Sequence, residues 1–143
     1  MSWVDDLVVK ASGSRDAFNI ETSTGEAYGA RRLLLATGVS DTLPDIKGLA
    51  ERWGTGVFHC PYCHGYELDQ GQIGVIATNP MSIHQAQLLP EWGSVTLLTN
   101  GVVELNEPTR QDLSKRGVTV EAARIDRIEG HADVVLTDGR RLR

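Results

Sequence analysis

Two short apolar runs with an amphipathic stretch between them constrain this chain more than any other feature. Ile73-Gly74-Val75-Ile76-Ala77 and Val95-Thr96-Leu97-Leu98-Thr99 each have the length and apolar continuity of a strand buried on both faces. Between them, residues 81–92 place Ile83, Ala86, Leu88 and Leu89 at helical spacing, after a turn at Thr78-Asn79-Pro80. Pro80 falls near the first helical turn, where a missing N–H costs little. Strand, helix and strand in this order predict a parallel β-α-β unit with a right-handed crossover, and hence an α/β fold.

The flanking residues extend this picture. Residues 108–116 predict a short helix closed by Gly117. Strands are expected at 118–120, 124–129 and 134–137. Asp138-Gly139 is a hairpin turn signal, and the returning strand at 140–143 has barely begun where the sequence stops, so the chain reads as one cut short. Upstream, residues 7–28 predict an antiparallel meander. Its strands are expected at 7–9 and 18–22, with turns at Ser12-Gly13-Ser14 and Ser23-Thr24-Gly25-Glu26. Arg32-Leu33-Leu34-Leu35-Ala36-Thr37-Gly38 is another apolar run, expected to form a strand buried on both faces. Pro44 and Gly48 mark a connector. A boundary is therefore expected within 45–53, dividing 1–48 from 49–143, with a three-layer, Rossmann-like sheet from about residue 54 onward.

Composition closes off several function classes. The 143 residues are 41% hydrophobic and 23% charged, enough for an ordinary core. No apolar run approaches the ~20 residues that a membrane-spanning helix needs. The start, Met1-Ser2-Trp3-Val4-Asp5-Asp6, lacks the basic-then-apolar layout of a signal peptide, so a cytoplasmic protein without membrane contact is expected. With a net charge of -5 and basic runs no longer than Arg31-Arg32 and Arg140-Arg141, nucleic acid is not an expected partner.

The two cysteines, Cys60 and Cys63, sit in His59-Cys60-Pro61-Tyr62-Cys63-His64-Gly65-Tyr66-Glu67. So close a pair points to redox chemistry, metal binding or haem attachment rather than to a disulfide scaffold. A C-x-x-C dithiol works as a redox couple at the start of a helix, where the helix terminus lowers the first thiol's pKa. Pro61 suits the first helical turn, and His64 is placed to carry the proton that thiol exchange requires. Gly65 admits close approach of a planar partner.

Three other chemistries fit the same residues. Cys60-x-x-Cys63-His64 matches the c-type haem attachment motif, with Met81 or His84 as a further ligand, although the β-α-β pattern and the N-terminus argue against it. Zinc could take His59, Cys60, Cys63 and His64, but four ligands within six residues do not readily form a tetrahedron, and no metal site is expected. The cysteines could also be inert and buried. Trp3, Trp53 and Trp92 read as packing or surface residues, His84 as an exposed helix residue and His131 as a loop residue. Tyr62 and Tyr66 could flank a flavin or substrate, or simply pack.

Taken together, Leu34-Leu35-Ala36-Thr37-Gly38 and Leu43-Pro44-Asp45-Ile46-Lys47-Gly48 resemble the A-T-G-x-x-x-x-x-P-x-I-x-G stretch that closes the FAD-binding domain of thioredoxin reductases. Cys60-Pro61-Tyr62-Cys63-His64-Gly65-Tyr66-Glu67 resembles the redox centre of thioredoxin reductase-like flavoproteins, and is most similar to the C-x-x-C-H subgroup that includes gliotoxin-type dithiol oxidases. The resemblance covers about residues 7–142. It implies a remnant of an FAD-binding domain, meander and strand, followed by a Rossmann-like nicotinamide-domain sheet. It also implies electron exchange between FAD, the Cys60–Cys63 couple and a thiol or disulfide substrate, either a small molecule or a thioredoxin-like protein. His64 falls where thioredoxin reductases proper carry an acidic proton donor. Thr37 and Gly38 match the edge of the FAD site.

The sequence departs from that family in two ways. It has no G-x-G-x-x-G strand–helix to hold the FAD pyrophosphate and no C-terminal segment to complete the FAD site, so activity is not expected of this chain alone. The turn Ala77-Thr78-Asn79-Pro80-Met81-Ser82 has no glycine, and Thr99-Asn100-Gly101 has neither a base nor an acid for an NADPH or NADH ribose. Nicotinamide is thus not an expected cofactor. The alternative function is a non-catalytic module that binds a partner or a metal through the His/Cys cluster. Unpaired sheet edges would suit pairing into a homodimer.

Overall fold

The computed structural model describes residues 2–143, and the chain divides into one unit ending at Asp41 and a second spanning Thr42–Arg143. In the first unit, β1 (Val8–Ser14), β2 (Ala17–Thr22) and β3 (Ala27–Ala30) form an antiparallel sheet in the order β1-β2-β3. The expected meander is present, but its first turn lies later than Ser12-Gly13-Ser14. Those residues stay in β1, with Gly13 opposite Phe18 and Ser14 opposite Ala17, and the chain reverses at Arg15-Asp16. Asp16 takes the left-handed conformation that aspartate tolerates better than most residues (φ 70°). At the other turn the Asp6 carboxylate accepts from the Ser23 hydroxyl at 2.6 Å and the Leu7 N–H at 2.8 Å. The hydroxyl bonds from Ser23, Thr24 and Thr22 hold the Asp6 carboxyl well below the usual carboxylate range.

The strand expected at 32–38 does not form. That run has no regular structure, and Leu34 and Leu35 are 88% and 71% exposed. A strand apolar on both faces needs hydrogen-bonded neighbours and a covering layer on each face. Among the described residues nothing supplies them.

The second unit holds the expected β-α-β arrangement. Strands β4 (Gln72–Ile76), β5 (Ser94–Leu98) and β6 (Thr119–Glu121) run parallel in the order β4-β5-β6. Alternation along β5 sorts its side chains between two clusters. Val95 and Leu97 join Ile73, Val75, Ala86 and Leu113 in the larger core. Leu98 points the other way and packs with Val134 and Leu136. Those two residues belong to β8 (Asp133–Leu136), the middle strand of an antiparallel sheet with β7 (Ile125–Glu129) and β9 (Arg141–Leu142). The Asp138-Gly139 turn forms as expected, with Leu136 and Gly139 bonded across it. The fold is therefore mixed α/β, with small parallel and antiparallel sheets.

Helix α1 (Pro61–His64) carries the cysteine motif, and α2 (Met81–Leu88) and α3 (Glu107–Lys115) connect the parallel strands. Helix α2 is shorter than the expected 81–92. It tightens into a 3₁₀ turn at Leu89–Glu91, because Pro90 has no N–H for the α-helical ladder. Pro80 is its N-cap, next to the first helical turn as expected. Helix α3 starts one residue before the expected 108, capped by Asn106, whose side chain accepts from the Thr109 N–H at 2.9 Å.

The division between units falls ahead of the expected 45–53 because the connector is already tied into the second unit. The Ile128 N–H donates to the Lys47 carbonyl at 2.8 Å, Leu49 is 2% exposed, and Arg52 Nε donates to the Gly130 carbonyl at 3.0 Å. Gly48 makes this junction possible. Its φ is +82°, and a Cβ there would lie 2.0 Å from the Ile128 carbonyl oxygen. Gly48→Ala is expected to lower unfolding stability by about 1–3 kcal/mol, read as a lower urea midpoint. An unchanged midpoint would mean that the junction relaxes freely.

Candidate redox site

Cys60 immediately precedes α1, and Cys63 lies within it. The Cys63 N–H donates to the Cys60 carbonyl at 3.3 Å, closing the turn that brings the two thiols together. Both cysteines are free; Cys60 is half-buried and Cys63 exposed. Their acidities diverge. A hydrogen bond from the Cys63 thiol, aided by the Cys63 and Tyr62 backbone N–H groups, lowers the Cys60 pKa against a small opposing effect of burial. The Cys63 thiol, committed as donor and facing a thiolate, is pushed up. The backbone donors are what a helix start was expected to offer, but the larger contribution comes from the partner thiol. Sequence spacing alone does not reveal that ranking.

His64 ends α1 with its ring stacked on Phe58, centroids 4.0 Å apart and planes at 24°. Its Nδ1 lies 3.1 Å from Glu67 Oε2. Neither neighbour was assigned a role from the sequence. The signal for Glu67 was its position three residues after the histidine on a helical turn; for Phe58 there was none.

Trp92 supports the motif from below. It packs against the larger core and meets Tyr62 edge-on, with centroids 5.9 Å apart at 88°. A Cβ on Gly65 would lie 2.9 Å from the Trp92 ring. The planar group that Gly65 admits is thus a side chain of the chain itself. Tyr62 and Tyr66 are mostly exposed, as are His59, His84 and His131. Thr37 and Gly38 lie in the first unit, on the exposed irregular run.

Two cofactor sites can be tested against the chain. For a dinucleotide, the amides after β4 would have to face the pyrophosphate. Here the Thr78 N–H is bonded to Ser82 Oγ at 3.1 Å and the Met81 N–H to Asn79 Oδ1 at 2.8 Å. After β5, Asn100 Oδ1 accepts from the Ile125 N–H at 2.9 Å. These hydrogen bonds hold the loops to themselves. Thr37 and Gly38, expected at the edge of an FAD site, sit in no strand. Among the described residues no group of three His, Cys, Asp or Glu side chains is placed to hold a metal ion, and no helix is long and apolar enough to cross a membrane.

No family model matches the chain. It is similar to an oxidoreductase from Agrobacterium tumefaciens of known structure, with 57% identity and a TM-score of 0.83 over 99% of this chain and 48% of that one. It is 39% identical to thioredoxin reductase tcpT of Claviceps purpurea over 67% of this chain and 32% of the relative. It is also 30% identical to thioredoxin reductase sirT of Leptosphaeria maculans over 92% of this chain and 45% of the relative. The chain spans less than half the length of each.

Proposed function

Because the chain belongs to the thioredoxin reductase-like oxidoreductases, we propose that Cys60 and Cys63 form a dithiol–disulfide couple that exchanges two electrons with a thiol or disulfide substrate. The observation that carries this is the placement of two free thiols on one helical turn, closed by the Cys63 N–H on the Cys60 carbonyl. The Cys60 thiolate attacks a substrate disulfide, forming a mixed disulfide and releasing one substrate thiolate. Cys63 then attacks the Cys60 sulfur, losing its proton, and releases the second thiol. The products are a Cys60–Cys63 disulfide and a reduced substrate. The same steps reversed oxidise a dithiol. His64 takes up and returns the proton.

On this reading the first unit is part of an FAD-binding domain, and the second corresponds to the nicotinamide domain without its nucleotide site. FAD would serve as the electron carrier for the couple, held by residues beyond those of this sequence, with Thr37 and Gly38 at the edge of its site. The substrate is a small thiol or disulfide, or a thioredoxin-like protein.

The test is a thiol titration across graded redox buffers, with and without added FAD. A reversible two-electron couple in the range of dithiol enzymes, between about −120 and −270 mV, is expected even without flavin. A pair that stays reduced throughout would favour the non-catalytic module instead.

A further inference from the structure

Glu67 has no part in the exchange just described, yet its carboxylate is the one hydrogen-bonding partner of the His64 ring among the described residues. Two contacts fix that ring. The Phe58 stack sets its plane, and the Glu67 bond sets its rotation within the plane. An ionised carboxylate only accepts hydrogen bonds, so Nδ1 must carry the hydrogen, and in the neutral ring the lone pair then lies on Nε2. A histidine free in water prefers the opposite arrangement. The local fold therefore selects the less favoured tautomer.

We propose that Glu67 is a positioning residue that holds neutral His64 as its Nδ1–H tautomer, so that Nε2 is the nitrogen offered to the Cys60–Cys63 pair for proton transfer. The use made of Nε2 rests on the oxidoreductase reading; the tautomer does not. The transfer is balanced: one proton leaves a thiol for Nε2, giving a thiolate and an imidazolium hydrogen-bonded to Glu67, and returns when the thiol re-forms. Glu67 is largely exposed, its side chain 71% accessible, so replacing it leaves the surrounding packing in place.

The tautomer can be read directly from two-bond ¹H–¹⁵N correlations of the ¹⁵N-labelled chain, at a pH where histidine is neutral, with His64 assigned through its loss in His64→Asn. The parent is expected to show the Nδ1–H pattern. Glu67→Ala should shift it to Nε2–H, and Glu67→Gln, whose amide oxygen still accepts, should restore Nδ1–H. Alkylation of Cys60 at neutral pH should slow about two- to fivefold in Glu67→Ala and recover in Glu67→Gln, the scale of one exposed hydrogen bond. A parent ring already in the Nε2–H form, or one indifferent to Glu67→Ala, would overturn the proposal. So would a tautomer shift that leaves the alkylation rate unchanged. An inert dithiol in the redox titration would strike only the proposed function, since these measurements use neither flavin nor substrate.

Discussion

A Cys63→Ala chain is expected to lose reversible two-electron chemistry completely and to alkylate Cys60 more slowly than the parent at neutral pH. The first effect follows from stoichiometry, since a lone thiol cannot close an intramolecular disulfide. The second follows from the ranking of causes at the site. The hydrogen bond from the Cys63 thiol is the largest contribution to the lowered Cys60 pKa, ahead of the backbone donors. Without it, the Cys60 titration should move up toward the ordinary thiol range of about 8.5, so less thiolate is present at neutral pH. A pH profile of iodoacetamide alkylation measures this as an inflection at higher pH in the variant. If the inflection stays put, the backbone N–H groups alone set the acidity, and the partner thiol contributes only its sulfur to the couple. The reciprocal variant, Cys60→Ala, removes both the hydrogen bond and the thiolate charge that raise the Cys63 pKa, so the Cys63 inflection should fall at lower pH than in the parent.

The second large effect is on stability. Leu97→Ala is expected to cost about 2–5 kcal/mol, a substantial share of the roughly 5–15 kcal/mol that stabilises an ordinary domain. Leu97 is fully buried in the middle strand of the parallel sheet, opposite Val75 on β4 and Val120 on β6. It belongs to the same core as Ala86 and Leu113, also fully buried and contributed by the two connecting helices. Truncation would open a cavity in that core, and strand pairing leaves little room for collapse. Urea unfolding followed by circular dichroism reads the loss as a lower midpoint. A cost under about 1 kcal/mol would mean that the sheet repacks around the gap.

Residue by residue, the sequence was most legible where local chemistry and burial agreed. Val75 and Leu97 lie in regular strands, Asn106 and Pro108 open α3, and Asp138-Gly139 makes its turn. Legibility failed at residues 32–38, whose apolar pattern describes surroundings that the described residues do not provide. It failed in a smaller way at Pro90, which ends the α-helical ladder although the apolar spacing runs up to it. At the redox motif, the residue types and their spacing were visible from the start. The partners that set their behaviour were not: Phe58 and Trp92 are six and 29 residues from His64 and Cys63 in the chain, and meet the motif only through folding.

By itself the sequence determined the α/β pattern, the place of a dithiol on a helical turn and the glycine-free loop after β4, because periodicity, turn chemistry and residue type act over a few neighbouring residues. The tertiary structure decided that the Cys63 N–H closes onto the Cys60 carbonyl and that His64 Nδ1 meets the Glu67 carboxylate. It also decided that Gly65 makes room for Trp92, and that the loop amides are already spent on Asn79 and Ser82. Acidity, tautomer and amide availability depend on hydrogen bonds and contacts at distances of a few ångströms, and only the folded chain fixes those distances.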